Sequence, residues 1–553
     1  VPSARQRGSL GGPRDLFALP SARRPPPAPH WPIECEVIKE PIQHIGEGVL
    51  RPLPPPFTPQ AAHLGAPSVS PSPCPHPLGL PLTVPPGSCF TRARIGGAPG
   101  PLSSPAAPLE GPQDTTLLFE SRFESGNLQK AVKVGPYEYV LRLRPDLYTT
   151  KHTQWFYFRV QNTRKDPLYR FTIANLAKPT SLYSEGMRPL LYSQRDAQSR
   201  GVGWRRVGTH VRYYRSDGKE PSTFHLSWTV RFPHDGDTCF FAHSYPYTYT
   251  DLQRYLRGVM GDPACSRYCA VRALCRSLAG NTIYLLTITS PAGTVAAKRV
   301  VVLSARAHPG ESVGSWAMRG FLDFLLSAHP DARLLRRLFV FKVVPMLNPD
   351  GVVVGNSRCS LAGRDPNRAY GTALRGSFPG VWHLRAMVER VLAEREVVLY
   401  CDFHGHSRKN NVFMYGCDGG GASAGLRLLQ RVFPLMLSKN APDKFSFPSC
   451  KFKVQKSKAG TGRVVMWRMG ISNSYTMEVA FGGSTLGRRN SHFTVEDLKS
   501  LGYHLCDTLL DFCDPHPAKL QQCLSEVDVL LRQRLGRKPG SGWNDVSTSE
   551  LES

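Results

Sequence analysis

The sequence lacks any apolar run long enough to cross a lipid bilayer. A transmembrane helix needs about 20 consecutive apolar residues, and polar or charged residues interrupt every apolar stretch well before that length. The first residues are polar and lead into proline-rich sequence, without the apolar core of a secretory signal peptide. We therefore expect neither a membrane-spanning nor a secreted protein. Because the sequence starts at Val1 and not at methionine, we also expect it to be a fragment of a longer product.

Cysteine is too sparse and too scattered to form a disulfide framework. The 14 cysteines are spread through 553 residues, and Cys401, Cys506 and Cys513 lie within apolar runs. Small secreted domains that depend on disulfides instead have many cysteines in a short chain. Together with the missing signal peptide, this distribution predicts reduced thiols in a cytosolic protein.

Acidic residues are few relative to basic ones. The chain has 42 Asp and Glu against 69 Lys and Arg, which gives a formal net charge of +27. The first 114 residues and the residues after Asp514 are nearly balanced, so the excess lies in the middle of the chain. A basic folded domain favours a polyanionic partner, such as nucleic acid, an anionic membrane surface or an acidic polypeptide. The alternative is a generally basic surface without a specific partner.

Composition and periodicity divide the chain into four parts. Residues 1–114 are rich in Pro, Ala, Ser and Gly and predict a disordered segment, because such sequence buries too little apolar surface to fold. Residues 115–247 contain short alternating runs separated by turn residues, which predict an antiparallel β-sandwich. Residues 248–514 alternate strand and helix patterns and predict an α/β domain with a largely parallel or mixed sheet. Residues 515–553 predict a loose tail apart from one short amphipathic stretch.

The α/β part contains several strong periodic segments. The predicted strands are 283–288, 300–303, 338–344 and 397–403, and the predicted helices are 313–328, 381–395, 425–438 and 495–513. The amphipathic stretch of the tail is 520–535.

A strand followed by a tight turn carries the first candidate metal ligands. The apolar run 299–304 predicts a buried strand, which Pro309 and Gly310 break into a turn that holds His308 and Glu311. An imidazole nitrogen and a carboxylate oxygen on one rigid loop are ligands that zinc uses when a third comes from elsewhere. A His-x-x-Glu pair is weak evidence by itself, because most such pairs are accidental.

The predicted strand 397–403 leads into the candidate third ligand, His404. Asp402 and Asp365 are candidate carboxylates that orient a ligand histidine through its other ring nitrogen. His406 is an alternative to His404 as a ligand, and we favour a supporting position beside the ligands for it. Two histidines, one carboxylate and an open fourth position are typical of a catalytic zinc site.

Further polar residues near these ligands are candidates for substrate contacts and catalysis. Arg358, Asn367 and Arg368 lie in loops, where the planar fork of an arginine can bind a carboxylate and an adjacent amide can add a donor. Glu478 lies in an apolar strand pattern and is the candidate base for an attacking water. Taken singly, these residues are more typical of ordinary loops and of a solvated strand end.

Taken together, these motifs resemble the zinc carboxypeptidase superfamily. They are His308-Pro-Gly-Glu311, Asn348-Pro-Asp-Gly351, Asp365-Pro-Asn367-Arg368, Asp402-Phe-His404-Gly-His406 and Tyr475-Thr-Met-Glu478. Within it the chain is similar to the cytosolic carboxypeptidases, whose deglutamylating members trim glutamates from tubulin. Stretches at 119–128, 152–160 and 245–250 resemble the β domain that precedes the catalytic domain there. The resemblance covers about residues 115–514 and implies a mixed sheet flanked by helices, preceded by the β-sandwich and the disordered segment.

The resemblance implies a role for each matching residue. One zinc ion would be held by His308, Glu311 and His404. Glu478 would take a proton from the attacking water and pass it to the leaving amine, and Arg358 would stabilise the oxyanion. Asn367 and Arg368 would bind the free α-carboxylate of the terminal residue, which makes the cut an exopeptidase cut. The pocket for a glutamate side chain would be basic, with Arg463 as the preferred candidate beside Lys453 and Lys458.

The predicted function is a zinc metallocarboxypeptidase that removes glutamates from polyglutamylated tubulin or other acidic protein tails. The alternatives are a carboxypeptidase for other acidic or aromatic C-termini and a catalytically silent module that binds microtubules. A nucleic-acid partner is disfavoured because the sequence lacks a zinc knuckle, a helix-turn-helix and an RNP-type aromatic pattern, and no membrane partner is expected. The resemblance implies a cytoplasmic protein that concentrates at centrioles, basal bodies and cilia.

Overall fold

The structure is a computed structural model in which parts of the chain are described. The described residues are 31, 88–91, 109, 111–216, 223–291, 298–372, 374–418, 424–487 and 490–536. The predicted disordered segment lies almost entirely outside the described residues, and so does the chain after residue 536. Among the described residues, every helix is too short or too polar to span a bilayer.

Two sheets make up the N-terminal part of the molecule. Its strands are β1 (Ser88–Thr91), β2 (Leu118–Glu120), β3 (Leu128–Gly135), β4 (Glu138–Leu143), β5 (Tyr157–Gln161), β6 (Tyr169–Leu176), β7 (Leu190–Ser193), β8 (Arg205–Arg206), β9 (Thr209–Arg215), β10 (Phe224–Val230) and β11 (Cys239–Ala242), with helix α1 (Gln194–Arg200) after β7. One sheet has the order β1-β3-β4-β6-β10-β9 and the other β2-β5-β11-β7-β8. All pairs are antiparallel except β4 and β6.

Aromatic side chains fill the space between these two sheets. The ring of Phe171 on β6 lies 5.3 Å from that of Phe241 on β11, and Trp228 on β10 lies 5.8 Å from Phe241. Phe119 on β2 similarly contacts Tyr139 on β4, with 5.3 Å between ring centroids. Facing aromatic layers of this kind form the core of a sandwich. The predicted β-sandwich is therefore confirmed, with one parallel pair that the sequence does not predict.

The second part is an α/β domain. Its strands are β12 (Cys269–Arg276), β13 (Thr282–Ile288), β14 (Arg299–Ala305), β15 (Phe339–Val344), β16 (Val397–His406), β17 (Val412–Asp418), β18 (Lys451–Lys453), β19 (Ser474–Ala480), β20 (Gly483–Ser484) and β21 (Ser491–His492). Its helices are α2 (Tyr249–Gly261), α3 (Pro263–Ser266), α4 (Ser312–Leu325), α5 (Pro330–Leu338), α6 (Pro349–Val354), α7 (Pro379–Glu394), α8 (Ala424–Asn440), α9 (Gly462–Arg468), α10 (Val495–Phe512) and α11 (Ala518–Gly536).

The main sheet of this domain is mixed and has helices on both faces. Its order is β12-β13-β15-β14-β16-β19-β17-β18. Along β14, Val301 and Leu303 belong to the core cluster that includes α4 and α10, whereas Val300 and Val302 belong to the cluster that includes α7 and α9. A strand covered on both faces reads as a continuous apolar run. This explains why β14 is visible in the sequence, and the predicted mixed α/β sheet is confirmed.

Two glycines allow α4 and α10 to pack closely. A Cβ added at Gly502 would lie 2.1 Å from the backbone nitrogen of Phe321, and one at Gly320 would lie 2.0 Å from the carbonyl oxygen of Lys499. The start of α10 is fixed by a capping box between Thr494 and Asp497. This helix pair buries one face of the sheet behind β14 and β16.

The amphipathic stretch predicted at 520–535 forms α11. Cys523 and Val527 of α11 are buried against Val432 and Leu435 of α8, and Lys439 lies 2.8 Å from Glu526. This part of the predicted loose tail is packed, because its apolar face has a partner on a helix that is distant in sequence.

Three adjacent parallel strands end at the same edge of the main sheet. β14 pairs with β16, and β16 pairs with β19, both in parallel. Because parallel strands present their carboxyl ends at one edge, the loops that follow them meet there. This edge contains the candidate site.

Candidate metal centre and substrate pocket

The turn after β14 is held by a buried arginine. Arg306 has φ 62°, in the left-handed region that only a few non-glycine residues adopt. Its guanidinium donates to the carbonyl oxygens of Pro309 and Tyr247, at 2.8 Å each, and to Ser315 Oγ at 2.9 Å. These bonds hold the unusual backbone conformation and fix the direction of the turn that carries His308.

The structure brings the three predicted ligands together. Nδ1 of His308 lies 2.8 Å from Glu311 Oε1, and Nδ1 of His404 lies 2.8 Å from Glu311 Oε2. The two Nδ1 atoms are 3.2 Å apart, and one ligand atom from each residue lies within 4.8 Å of the others. Within the described part of the chain, no other group of His, Cys, Asp or Glu residues has the composition and spacing of a metal site.

The other nitrogen of each ring is bound to a carboxylate. His308 Nε2 donates to Asp365 Oδ1 at 2.9 Å, and His404 Nε2 donates to Asp402 Oδ2 at 2.8 Å. A carboxylate can only accept here, so the ring proton is on Nε2 and the lone pair of Nδ1 faces the cluster. Two oriented imidazoles and one carboxylate fit a zinc ion, and a fourth position would remain for water or substrate.

His406 is placed differently from the other two histidines. Its Nδ1 accepts the backbone N–H groups of Arg408 and Lys409, at 3.2 and 3.0 Å. That nitrogen is therefore occupied by the turn after β16, and His406 is not part of the ligand cluster. Burial lowers its pKa to about 3. The alternative in which His406 replaces His404 is contradicted by this geometry, and His406 supports the turn instead.

Glu478 lies beside the ligands on the neighbouring strand. It is paired across the parallel strands with His404, and it lines the same pocket as all three ligands. Burial raises the pKa of its carboxyl to about 7, an effect that His404 opposes and Glu311 reinforces. A carboxylate with this basicity next to a metal centre is suited to accept a proton from water.

Asp365 connects a metal ligand to two arginines. Besides His308, its carboxylate accepts from Arg358 Nε at 2.9 Å and lies 3.8 Å from Arg368 Nη1. Burial acts to raise the pKa of this carboxyl, but His308 and the nearby guanidinium groups outweigh burial and hold the pKa well below its usual range. Both arginines line the pocket. One partly buried carboxylate thus contacts a ligand and two cations that line the pocket.

The Asn367 side chain joins two loops of the pocket. Its Oδ1 accepts the backbone N–H of Gly462 at 3.1 Å. A Cβ at Gly460 would lie 2.4 Å from the carbonyl oxygen of Arg368. Glycine is therefore required where loop 460–462 packs against the residues predicted to bind a terminal carboxylate.

The three predicted specificity residues do not share one location. Arg463 and Lys458 are buried and line the pocket. Burial lowers the pKa of Lys458 to about 7, and Arg368 adds to the effect. Lys453 is exposed at the end of β18 and is not among the pocket residues. Lys453 lies outside the pocket because Phe452, between two exposed lysines, is the residue of β18 that points inward.

Sequence reasoning missed several residues of the pocket wall. They are Lys178, Ser407, Arg408, Tyr415, Thr461 and Thr476. Ser407 and Arg408 directly follow His404-Gly-His406, so their closeness to a ligand was a usable signal. Lys178 belongs to the β-sandwich part, and no motif marks it.

Comparison with known proteins identifies both parts of the chain. Residues 262–495 match the zinc carboxypeptidase family, and residues 119–243 match the cytosolic carboxypeptidase N-terminal domain. Cytosolic carboxypeptidase 2 of Homo sapiens is 61% identical over 98% of this chain and 62% of its own length. The relative of the same name from Danio rerio is 58% identical, with 98% of this chain and 76% of that protein covered.

The chain thus spans a little over three fifths of the human relative's length. Among solved structures, a metallo-carboxypeptidase from Burkholderia cenocepacia superposes with a TM-score of 0.60 at 23% identity. The match covers 72% of this chain and 99% of that one. This likeness shows a shared fold for both parts of the molecule.

Proposed function

This chain belongs to the zinc carboxypeptidases, in the group that carries the cytosolic carboxypeptidase N-terminal domain, and we propose that it is a metallocarboxypeptidase that removes glutamate from acidic protein tails. The observation that carries the substrate class is the charge of the pocket. Arg368, Lys458 and Arg463 line it next to the His-Glu-His cluster. Two carboxylates on one residue, as in a terminal glutamate, match several cations within one small pocket.

The chemistry follows from the donor set and from the groups around it. Zinc held by His308, Glu311 and His404 would supply a Lewis acid at the scissile carbonyl and make a nearby water more acidic. The Glu478 carboxylate accepts the proton of the attacking water and delivers it to the nitrogen of the leaving amine. The Arg358 guanidinium, fixed by Asp365, donates to the oxyanion that forms on the carbonyl oxygen.

We assign the binding of the terminal substrate residue to Asn367, Arg368 and the residues around Gly460. Arg368 binds the α-carboxylate, and the Asn367 amide, held by Gly462, supports it. Arg463 and Lys458 accept the γ-carboxylate. Arg463 is anchored by the Gly416 carbonyl and lies 5.6 Å from the Tyr415 ring centroid, so its position is fixed before substrate enters. A pocket of this kind requires a free chain end.

The natural substrates that we propose are polyglutamylated tubulin tails or other acidic tails. The net charge of +27 supports such a partner, because it attracts a polyanionic chain over distances of about 10 Å. With substrates of this class, we propose that the protein acts in the cytoplasm, at microtubule-rich structures such as centrioles, basal bodies and cilia.

The test measures glutamate release from a tubulin-tail peptide that carries a polyglutamate chain. The zinc-loaded chain should release glutamate, a chelator should stop the release, and added zinc should restore it. Glu478→Gln should lower kcat about 1,000-fold while peptide binding persists, because the base is lost and the cations remain. Glu389→Gln, which removes an exposed carboxylate on α7, is the matched control.

The same assay distinguishes the pocket residues and the alternatives. Peptides that end in Glu, Asp and Tyr are compared for Arg463→Met and for Lys453→Met. Only Arg463→Met should lower the preference for Glu, because Lys453 lies outside the pocket. Preference for Tyr ends would instead indicate another carboxypeptidase. Peptide binding without release, unchanged by Glu478→Gln, would indicate a tubulin-tail adaptor without catalysis.

A further inference from the structure

The β-sandwich part contributes a lysine to the substrate pocket. Lys178 lies in the loop after β6, and its Nζ donates to Ser407 Oγ at 3.0 Å. A second hydrogen bond connects the same loop to Ser407: the Leu182 N–H donates to the carbonyl oxygen of Ser407 at 2.9 Å. The Tyr213 hydroxyl also donates to the carbonyl oxygen of Lys178. Three contacts therefore fix the lysine next to the segment that follows the ligand His404.

Lys178 and Arg408 form a second group of cations in the pocket. Burial lowers the pKa of Lys178 to about 7, and the positive charges of Arg358 and Arg408 lower it further. The carboxylates of Glu311 and Glu478 act in the opposite direction and raise this pKa. The pKa of Lys458 is also lowered by burial, and the positive charges that lower it further are those of Arg368 and Arg358. Arg358 and Glu478 thus act on both lysines, whereas Arg408 acts on Lys178 and Arg368 acts on Lys458.

Lys178 and Arg408 lie where the residue that precedes the scissile bond is expected. The terminal residue is assigned to the wall with Arg368, Lys458 and Arg463. A peptide held there has its scissile carbonyl at the His-Glu-His cluster, so the residue that precedes the scissile bond lies beyond the terminal residue, on the side of the metal ligands. The chain from His404 to Arg408 forms the wall next to the ligands, and Lys178 is bonded to that wall.

We propose that Lys178 and Arg408 form a subsite for the side-chain carboxylate of the residue that precedes the scissile bond. This inference rests on the proposed function and makes its substrate more specific. The enzyme prefers substrates with two consecutive acidic residues at the end, and the N-terminal domain contributes Lys178 to the recognition of the first of them. Lys178 has three N–H donors, of which Ser407 accepts one, so the ammonium group retains donors for a carboxylate. A carboxylate that binds there also compensates for the burial of a cation.

The test compares two peptides that end in Glu-Glu and in Gln-Glu, which differ in one charge before the scissile bond. The wild-type chain should show a kcat/KM for Glu-Glu about tenfold higher than for Gln-Glu, the effect of one charge-assisted contact. Lys178→Met should bring this ratio close to one, mainly through a higher KM for Glu-Glu. Lys178→Arg should retain most of the ratio. Lys165→Met removes an exposed lysine of the same domain and should leave the ratio unchanged.

The outcomes separate this inference from the proposed function. If the zinc-loaded wild type releases glutamate from neither peptide, the proposed function itself is wrong. If it cleaves both peptides equally well, the function stands and the subsite is refuted. Equal losses on both peptides in Lys178→Met, with the ratio intact, would also refute it, because they would show that the lysine only maintains the structure of the pocket wall.

Discussion

His404 can offer Nδ1 to a metal because its other ring nitrogen is already engaged. Asp402 accepts Nε2–H at 2.8 Å and is itself held by the Ser304 hydroxyl at 2.8 Å. Asp402 is almost completely buried, so water cannot easily replace it. At the scale of single residues, the carboxylates behind the ligands therefore decide how well the cluster is prepared for zinc.

Replacing Asp402 by Asn should weaken zinc binding about 10- to 100-fold. The amide is isosteric, but it is neutral and can present an N–H group to the ring, so the orientation and basicity of His404 both suffer. Competition with a fluorescent zinc chelator measures the zinc affinity directly. Asp331→Asn, which changes a half-exposed carboxylate at the start of α5, is the control and should bind zinc like the wild type. Equal affinity for Asp402→Asn would show that the ligands are oriented by other contacts.

The pattern of residue types predicts the ligands but not the directions of all side chains. His308 and Glu311 are visible because a strand and a Pro-Gly turn hold them on one loop. Sequence proximity to Glu478 makes both Arg463, the preferred residue, and Lys453 candidates for the pocket, yet only Arg463 of the two is buried in it. The direction of Lys453 depends on how β18 pairs with β17 at the sheet edge, which a single sequence does not specify.

At the scale of elements, the loop that carries Arg358 is organised by a residue of the β-sandwich. The buried carboxylate of Asp146 accepts the backbone N–H groups of Ser357, Arg358 and Cys359 at 2.5, 2.7 and 2.7 Å. In addition, Ser357 Oγ accepts the N–H of Trp155 at 3.0 Å. The direction in which Arg358 leaves this loop is thus determined by the N-terminal part.

Asp146→Asn should lower kcat about tenfold. An amide in place of the carboxylate directs N–H toward at least one of the three backbone donors, and the loop that presents Arg358 shifts. Since Arg358 is assigned to the oxyanion, the loss should appear in kcat more than in KM. Steady-state kinetics on a glutamate-ended peptide measures this split, with zinc content checked in parallel. An unchanged kcat in a variant with normal zinc content would remove Asp146 from this role.

Element predictions succeed where one periodicity is long. The four predicted helices appear as α4, α7, α8 and α10, each with ends shifted by at most a few residues. The helix α5 was not predicted, because its nine residues are too short for an apolar period to stand out.

The motif around Asn348 also has a structural explanation. Its side chain accepts Gly351 N–H and donates to the Ala307 carbonyl oxygen, which ties α6 to the ligand turn.

At the scale of the whole molecule, the two parts form one site. Lys178 and Asp146 reach the pocket and its loops across sequence separations of more than 200 residues. No periodicity or local motif encodes such contacts, and for this reason the sequence predicts two separate domains without predicting that the first completes the pocket of the second. Only the resemblance to a family in which both occur together indicates a joint function.

The contact between the two parts also includes a buried acid, Glu124. It follows β2, is 1% exposed, and accepts the backbone N–H of Thr250 at the start of α2 at 3.0 Å. Burial raises the pKa of its carboxyl to about 7, well above the value of 4.5 for an exposed glutamate. Between these two pH values the folded protein binds more protons at this site than the unfolded chain does. The contribution of Glu124 to stability is therefore present below pH 4.5 and is lost as pH rises through 7.

Glu124→Gln should accordingly gain stability relative to the wild type as the pH increases. The free energy of unfolding of the variant minus that of the wild type should rise by on the order of 2 kcal/mol between pH 5 and pH 8, because the amide does not ionise. Urea unfolding at both pH values measures the difference. Glu138→Gln, an exposed carboxylate on β4, should show no comparable change. A difference for Glu124→Gln that is the same at both pH values would mean that water or a nearby cation already compensates for the buried charge, and that the contact between the two parts does not depend on pH through this residue.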